Sequence, residues 1–370
     1  MGVAEKIAKK PPYKLLALDG GGIRGALSIE VLAAIEAQLR KHFAKSDLVL
    51  ADYFDYVAGT STGAIIAACI SIGMPMDRIR EFYAKSGPQM FDKTNILNRL
   101  RYKFDDEPLA RMLKEVFGPA TTLGSDKLRT LLLIVTRNAT SDSPWPISNN
   151  PRAKYAAADL SDNNLKFPLW QLVRASTAAP TYFPPEVIHV GDKQFIFVDG
   201  GVTMYNNPAF QLFLMATVEP YNLNWQAGEE KMLLVSIGTG TAANENVGLR
   251  PEDMNVLYNA GSIPGALMYA ALNEQDFLCR TFGNCLIGDY LDREVGTMIG
   301  KKGPIQPKLF TYVRYNAELT EQGLAGLGLR GIKPSDVQRL DSVDHVSDLQ
   351  AVGRAVAEQK VRLEDYKQFL

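Results

Sequence analysis

Apolar segments that run into glycine-rich turns, and then into helical patterns, constrain this chain more than any other feature of its sequence. Residues 13–18 predict a buried strand that ends at the turn of residues 19–22. Residues 25–43 then carry an apolar stripe at four-residue spacing, which predicts a helix. The same order recurs in a strand predicted at residues 53–58 and a buried helix predicted at residues 64–72. Such alternation predicts an α/β fold around a mostly parallel sheet.

The alternation continues along the chain. Residues 108–117 predict an amphipathic helix, and the apolar run in residues 128–136 is typical of a central parallel strand. Residues 194–198 predict a strand that ends at Asp199, and residues 231–237 predict another. Because open α/β sheets bind ligands at the carboxyl ends of their strands, the turns that follow these strands are the candidate positions for a site.

Two helix starts are predicted from side chains that can accept backbone N–H groups. Asn207 precedes Pro208, and proline is favoured in the first turn of a helix. Ser347 precedes the helical pattern of residues 348–359. Short polar side chains at these places satisfy the unpaired N–H groups of the first turn, so we expect Asn207 and Ser347 to be N-caps.

The composition limits the kinds of protein that this chain can be. Its 370 residues allow one large domain or two, and 46% hydrophobic with 22% charged residues are ordinary globular values. A net charge of −1 lacks the basic excess of a nucleic-acid-binding protein. The three cysteines, an odd number without paired spacing, predict neither a disulfide framework nor a zinc site.

Residues 59–63 have the pattern G-x-S-x-G, with Ser61 between Gly59 and Gly63. An apolar strand precedes this turn and a helix follows it, which is the setting of a nucleophile elbow. Glycine on either side tolerates the crowding of so sharp a turn, and the helix N-terminus favours negative charge near the serine. The alternative is a serine that only caps the helix.

The glycine loop at residues 19–25 lies between the first strand and the first long helix. Its three successive glycines let backbone N–H groups converge on an anion. The spacing also fits a dinucleotide-binding turn, but the next strand ends at Ser61 without the acidic residue that would hold a ribose. Two anion-stabilising turns on adjacent strands favour acyl transfer, with this loop as the oxyanion hole. Arg24 would steady the loop or a phosphate headgroup.

A serine hydroxyl needs a neighbouring base, and the chain offers few histidines for that role. The histidines are His42, His189 and His345, and none of them follows a strand in a glycine-rich turn. Asp199 does follow a strand, and Gly200 and Gly201 beside it allow close approach of the backbone. Partial burial would raise the pKa of its carboxyl group, so a Ser–Asp dyad is chemically sufficient. The alternative for Asp199 is an ordinary Asp-Gly turn.

Three sequence blocks resemble those of the patatin-like phospholipase family. The glycine loop at residues 19–25, the elbow at residues 59–63 and the triplet at residues 199–201 match its defining blocks in order. Residues 175–180 resemble a further block of that family. The likeness covers residues 13–240, and it implies a three-layer α/β/α fold with a central, mostly parallel sheet and a Ser–Asp dyad at the carboxyl ends of strands.

The resemblance also implies an activity and a set of residues for it. It implies a lipid acyl hydrolase of the phospholipase A, lysophospholipase or galactolipase type, without a metal or other cofactor. Ser61 would be the nucleophile and Asp199 the general base. The oxyanion hole would contain Gly20, Gly21, Gly22 and Arg24, and the supporting glycines would be Gly59, Gly63, Gly200 and Gly201. The expected partners are a phospholipid, galactolipid or other acyl-lipid substrate and a transient membrane surface, with no nucleic acid.

The resemblance further implies a single catalytic domain over residues 1–370. Its motifs would lie in residues 13–240, and residues 241–370 would form a mainly helical part of the same domain, onto which we carry no function. Two other interpretations stay open. An α/β-hydrolase esterase would use a triad of Ser61, Asp199 and His345, which has the chain order of that fold. A nucleotide-responsive regulatory module, or a phospholipase effector activated by a nucleotide, would use the glycine loop to bind the nucleotide.

The sequence contains no clear membrane span. Residues 57–76 lack charge, but their strongly apolar part is far shorter than the roughly 20 residues that a span needs. The apolar run near the N-terminus is also too short for a signal peptide. We therefore expect a cytoplasmic protein that can associate peripherally with membranes. Residues 90–103 mix apolar and basic side chains and could lie on a membrane or cover the site, although a solvated helix and loop more commonly has this pattern.

Overall fold

The computed structural model describes residues 2–91, 108–157, 159–180, 182–242 and 249–370. Within these residues, the strands are β1 Tyr13–Leu18, β2 Tyr56–Thr60, β3 Leu131–Asn138, β4 Ser143–Ser148, β5 Glu186–Val190, β6 Lys193–Asp199, β7 Met232–Ile237, β8 Asn284–Ile287 and β9 Thr311–Tyr315. These nine strands form one sheet in the order β5-β6-β3-β2-β1-β7-β9-β8, with β4 also paired to β3. The pairs from β3 to β8 in that order are parallel, whereas β4, β5 and β6 join through antiparallel pairs.

Helices cover both faces of this sheet, so the fold is a three-layer α/β/α arrangement. The α-helices in the described ranges are α1 Val3–Ala8, α2 Gly25–His42, α3 Leu50–Tyr53, α4 Thr62–Ser71, α5 Met76–Phe91, α6 Pro108–Phe117, α7 Leu169–Ser176, α8 Ala209–Thr217, α9 Val256–Phe282, α10 Glu321–Gly326, α11 Pro334–Val337 and α12 Val346–Lys360. Successive side chains of a strand point to opposite faces. Accordingly, Leu16 and Leu18 pack in one core with α2, α4 and α12, whereas Leu15 and Ala17 pack with α8 and α9 in the other.

The second predicted strand is shifted along the chain. The prediction placed it at residues 53–58, but β2 begins at Tyr56 because Leu50–Tyr53 forms the short helix α3. The carboxylate of Asp52 accepts the N–H of Val49 at 3.1 Å, and this satisfies a donor at the start of that helix. The predicted bounds of β1 and α6 are confirmed to the residue.

Both predicted N-caps are wrong. Pro208 occupies the N-cap of α8, although Oδ1 of Asn207 accepts a backbone N–H two residues on at 3.0 Å. His345 is the N-cap of α12, because the 3₁₀ turn Val343–His345 leads directly into the helix and places Ser347 inside it. The polar side chain nearest to a helical pattern was therefore a poor guide to where each helix begins.

The chain after residue 240 contributes to the sheet as well as to the helices. Strands β9 and β8 extend the parallel part of the sheet beyond β7. None of the helices in the described ranges is long and apolar enough to cross a membrane. The apolar and basic stretch of residues 90–103 lies outside the described residues from residue 92 onward.

Candidate active site

Ser61 lies in a strained turn between β2 and α4. Its φ of 54° and ψ of −124° form a combination that side chains other than glycine rarely adopt. A Cβ on Gly59 would lie 2.1 Å from the carbonyl oxygen of Gly63, and a Cβ on Gly63 would lie 2.3 Å from that of Leu18. The two glycines of the pattern are therefore sterically required, as expected for a nucleophile elbow.

Asp199 reaches Ser61 because two strands approach the same level of β3 from opposite sides. Thr60, the last residue of β2, pairs with Val135, and Asp199, the last residue of β6, pairs with Thr136. The hydroxyl of Ser61 donates to Oδ2 of Asp199 at 2.6 Å. The side chains that the sequence analysis assigned to a dyad are thus directly hydrogen-bonded, across a strand that is antiparallel to β6.

The environment of Asp199 makes its carboxylate more basic. Burial raises the pKa of Asp199 to about 6, although the hydrogen bonds from Ser61 and Gly201 and the charge of Arg174 lower it in part. Oδ1 accepts the N–H of Gly201 at 2.6 Å, which orients the other oxygen towards the serine. A Cβ on Gly200 would lie 2.3 Å from the carbonyl oxygen of Val135, so glycine permits this close approach to β3.

The segment at the end of α7 positions both members of the pair. The N–H of Ser61 donates to Oγ of Ser176 at 2.9 Å, and that hydroxyl donates in turn to the carbonyl oxygen of Val135 at 2.7 Å. The N–H of Asp199 donates to the carbonyl oxygen of Ala178 at 2.9 Å. Residues 175–180, the further block that resembles the patatin-like family, therefore contact the backbone N–H groups of both Ser61 and Asp199.

The glycine loop keeps some of its N–H groups free for an anion. The N–H of Gly20 donates to the carbonyl oxygen of Asn206 at 3.1 Å and is unavailable. Among the residues that the structure describes, no protein acceptor contacts the N–H of Gly21 or Gly22. Of the three glycines predicted for the oxyanion hole, these two retain donors that could bind a negatively charged oxygen.

Steric fit explains why the loop is rich in glycine. A Cβ on Gly21 would lie 2.2 Å from Oγ1 of Thr239. Gly22 has a φ of +58°, which favours glycine, and a Cβ there would lie 2.4 Å from the carbonyl oxygen of Leu340. Thr239 also donates its hydroxyl to the carbonyl oxygen of Gly20 at 2.9 Å. The loop is thus held by residues that follow β7 and by the C-terminal part of the chain.

Arg24 contacts protein carbonyl groups near this loop. Its Nη1 donates to the carbonyl oxygen of Gln338 at 3.3 Å, and its Nε lies 3.5 Å from that of Gly21. Burial lowers the pKa of Arg24 to about 10, so its guanidinium stays protonated at neutral pH. The roles expected for Arg24 were to form part of the oxyanion hole, to steady the loop or to bind a phosphate headgroup. Of these three, its contacts favour steadying the loop.

A buried ion pair anchors the start of the loop and was missed from the sequence. Arg314 of β9 donates through Nη1 and Nη2 to the two carboxylate oxygens of Asp19, at 2.9 and 2.5 Å. Nη1 also lies 2.7 Å from the hydroxyl of Ser236. The one signal available was an arginine inside a short apolar strand, because a charge in such a place needs a buried partner.

The histidines lie apart from this pair. His42 and His189 are exposed. The Nδ1 of His345 lies 2.9 Å from Asp348, and its Nε2 lies 3.9 Å from Asp336. The observed carboxylate partners of His345 thus differ from the one that a triad with Ser61 would require. Among the described residues, no three His, Cys, Asp or Glu side chains cluster in a way that could hold a metal ion.

Comparisons with known proteins agree with the order of these blocks. The model of the family described as "Patatin-like phospholipase" matches residues 16–213, more than half of the 370 residues. This range contains the glycine loop at residues 19–25, the elbow at residues 59–63, the triplet at residues 199–201 and strands β2 to β6.

Individual relatives and one solved structure match the chain at sequence identities of 16 to 32%. Patatin-17 of Solanum cardiophyllum is 32% identical over 251 residues, which are 62% of this chain and 61% of that protein. The intracellular phospholipase A2 of Caenorhabditis elegans is 32% identical over 240 residues, which are 63% of this chain and 20% of that protein. The chain thus spans about three-fifths of the length of the patatins it matches. The crystal structure of VipD from Legionella pneumophila matches 92% of this chain and 67% of its own, at 16% identity and a TM-score of 0.37, too low to bear on fold or function.

Proposed function

The chain belongs to the patatin-like phospholipase family, and from that membership we propose that it is a lipid acyl hydrolase that cleaves ester-linked fatty acids with a Ser61–Asp199 dyad. The observation that carries the proposal is the 2.6 Å hydrogen bond from the serine hydroxyl to a buried carboxylate. A carboxylate with a pKa of about 6 is mostly ionised at neutral pH and can accept the serine proton. A base of this kind makes a histidine unnecessary for activating the nucleophile.

The proposed reaction has two halves. Asp199 accepts the proton of Ser61 as the serine oxygen attacks the ester carbonyl carbon. The alcohol then leaves with the proton from Asp199, and the acyl group remains bonded to the serine oxygen. In the second half, Asp199 takes a proton from water as the water oxygen attacks the acyl-enzyme, and returns that proton to Ser61 as the fatty acid leaves.

We assign the oxyanion hole to the N–H groups of Gly21 and Gly22, with the N-terminus of α4 beside them. Donors preorganised in this way contribute about 3 kcal/mol each to the transition state of acyl transfer. Gly20 is left out of this assignment because Asn206 already accepts its N–H. The role that remains for Gly20 is to allow close approach, since a Cβ there would lie 2.3 Å from Oδ1 of Asn206.

We also propose that residues 1–370 act as a single catalytic domain. Strands β8 and β9 belong to the same sheet as the strands that carry the motifs. Arg314 of β9 binds Asp19 at the start of the glycine loop. Phospholipids, galactolipids and other acyl lipids are the proposed substrates, and the enzyme would meet them at a membrane surface.

The test is release of fatty acid from vesicles of mixed phospholipid and galactolipid by the purified protein. We expect Ser61→Ala and Asp199→Ala to abolish release, and His345→Ala, the matched control, to retain it. Loss of release in His345→Ala would support the triad instead. A wild-type protein that releases fatty acid only after a nucleotide is added would support the nucleotide-activated effector. A wild-type protein that releases none under either condition contradicts the proposed function.

A further inference from the structure

The first half of α9 exposes an apolar surface. Ile263 is 49% exposed and Leu267 is 65% exposed, and Ala270 one turn later is exposed as well. No charged residue occurs from residue 254 to residue 273, in a chain where 22% of residues are charged. Among the described side chains of α9, the first that is buried is Leu272. We call Ile263, Leu267 and Ala270 the α9 face.

The same half-helix also forms a wall of a groove, and Ile263 borders both the α9 face and this groove. A cavity of about 610 Å³ lies between α9 and the glycine loop, and its α9 wall includes Ala266, Tyr269 and Leu272. Arg24 and Asn206 line it on the side of the glycine loop. Its volume is in the range of small-molecule sites.

One residue that lines this groove, Asn206, lies close to the candidate nucleophile. Asn206 lies within contact distance of Gly20, because a Cβ on that glycine would be 2.3 Å from Oδ1 of Asn206. The same Cβ would be 3.2 Å from Cβ of Ser61. One half-helix therefore carries exposed apolar side chains and lines a groove that extends to Asn206, which lies next to Gly20 and Ser61.

We propose that the α9 face docks on the surface of a phospholipid bilayer and that the groove beneath it admits the acyl chain of a lipid to Ser61. This inference rests on the proposed function, because the groove has this meaning only if Ser61 attacks acyl esters. A helix with apolar side chains on its outer side can lie in the interfacial plane of a bilayer. Its insertion brings no charge into the membrane, so the cost of desolvating an ion does not arise.

The absence of charge on the α9 face also sets the kind of bilayer. Basic interfacial helices bind through anionic lipids, and their binding weakens as salt is added. The α9 face has no such group, so burial of apolar area would supply the binding free energy. It should therefore bind phosphatidylcholine vesicles, and added salt should not release it.

The experiment measures how the protein binds to vesicles in the absence of hydrolysis. Protein that carries Ser61→Ala is mixed with phosphatidylcholine vesicles, and the fraction that floats with the vesicles is measured. We compare this parent with the parent plus Leu267→Glu and the parent plus Phe43→Glu. Leucine and glutamate have similar helix propensities, so the first change removes apolar area without weakening the helix. Phe43 is 42% exposed after α2, which runs from the glycine loop to the opposite edge of the sheet, so it is a matched control.

We expect Leu267→Glu to lower vesicle partitioning about tenfold or more, and Phe43→Glu and high salt to leave it unchanged. Ala270→Glu gives the same test at a second exposed position should Leu267→Glu unfold. Equal flotation of all variants overturns the proposal, and so does a parent that does not float. A parent that forms a dimer, does not float and becomes monomeric in Leu267→Glu would assign the face to a second copy of the chain. Because the parent cannot hydrolyse by the proposed mechanism, these outcomes are independent of whether the proposed activity is correct.

Discussion

Arg314 binds both carboxylate oxygens of Asp19, and this buried pair connects the last strand of the sheet along the chain to the glycine loop. The two contacts are 2.9 and 2.5 Å long, and both side chains are at most 1% exposed. Burial lowers the pKa of Arg314, but the Asp19 carboxylate, together with Tyr312 and Asp276, raises it above its ordinary value, so the guanidinium stays charged. Since Gly20 follows Asp19 directly, the pair determines where the loop begins.

Replacing Arg314 with methionine should destabilise the protein strongly. Asp19 would be left buried without its partner, and breaking such a pair costs about 3–5 kcal/mol. Arg314→Lys keeps a charge but loses the two parallel hydrogen bonds, so we expect a smaller loss of stability and a lower kcat with little change in KM. Urea unfolding and steady-state kinetics measure the two effects.

The control for this prediction is an exposed ion pair. Arg78 lies 3.1 Å from Glu81, and their side chains are 71% and 67% exposed. Arg78→Met should change the free energy of unfolding by less than about 1 kcal/mol. If Arg314→Met unfolds at the same urea concentration as Arg78→Met, the pair does not anchor the loop as proposed.

The fold could be predicted from the sequence where the signal is local. The bounds of β1 and α6 follow from continuous or periodic apolar side chains, and the structure has the same bounds. β9 gave no such signal because Arg314 interrupts its apolar pattern. The partner that makes burial of this arginine favourable is 295 positions away in the sequence, and no local pattern indicates it.

The residues of the candidate site also divide into those that the local sequence indicates and those whose roles depend on tertiary contacts. Ser61 and Asp199 could be located because each follows an apolar strand within a glycine-rich turn. The role of Ser176 could not be derived, since its contact with the N–H of Ser61 depends on where α7 ends beside β3. Nor could the sequence indicate that Asn206 accepts the N–H of Gly20, because donor availability depends on how separate loops pack.

Activity should depend on pH through Asp199. Burial is the main cause that raises the pKa of its carboxyl group to about 6, and the proposed base must be ionised to accept a proton. We therefore expect kcat/KM for a water-soluble ester to fall about tenfold per pH unit below pH 6 and to level off above about pH 7. The pH–rate profile of the purified enzyme measures this.

A histidine base would titrate in a similar range, so the control is His345→Ala. Its profile should coincide with that of the wild-type protein. An inflection near the ordinary aspartate value, or a profile that His345→Ala removes, would contradict the role of Asp199 as a buried base.

The ionised form of Asp199 should lower the free energy of unfolding at neutral and alkaline pH. The variant Asp199→Asn tests this. The ordinary pKa of 3.8 is raised to about 6 in the folded protein, so the folded state binds the proton more tightly than the unfolded state does. Ionisation at pH above 6 therefore disfavours folding, by up to about 3 kcal/mol. An asparagine can still accept from Gly201 and donate to Ser61, so the variant should gain stability at pH 8 and lose activity.

The gain should shrink as pH falls from about 6 to about 4, where the carboxyl group becomes protonated in both states. Urea unfolding at several pH values measures it. Asp253→Asn is the control, because hydrogen bonds from Arg250 lower the pKa of that exposed carboxyl group. A loss of stability at pH 8 in Asp199→Asn would show that the carboxylate contributes more through its contacts than burial costs.

Gly21 should tolerate no side chain, because Thr239 occupies the space that a Cβ would need. Its φ of 171° lies outside the left-handed range of positive φ that favours glycine. A Cβ there would lie 2.2 Å from Oγ1 and 2.5 Å from Cβ of Thr239. Gly21→Ala must therefore displace the loop and its N–H, and we expect kcat to fall about 10²-fold, as for loss of an oxyanion donor.

Removing the obstructing side chain should restore part of that activity. Thr239→Gly deletes all three atoms that the new methyl group would meet, so the double variant Gly21→Ala/Thr239→Gly should exceed Gly21→Ala in kcat. Thr239→Gly alone loses the hydrogen bond to the carbonyl oxygen of Gly20 and measures that separate cost. Gly22→Ala should not be rescued, because its obstacle is the backbone oxygen of Leu340 and its φ is +58°. If Thr239→Gly restores nothing to Gly21→Ala, or restores Gly22→Ala equally, contact with Thr239 is not what requires glycine at position 21.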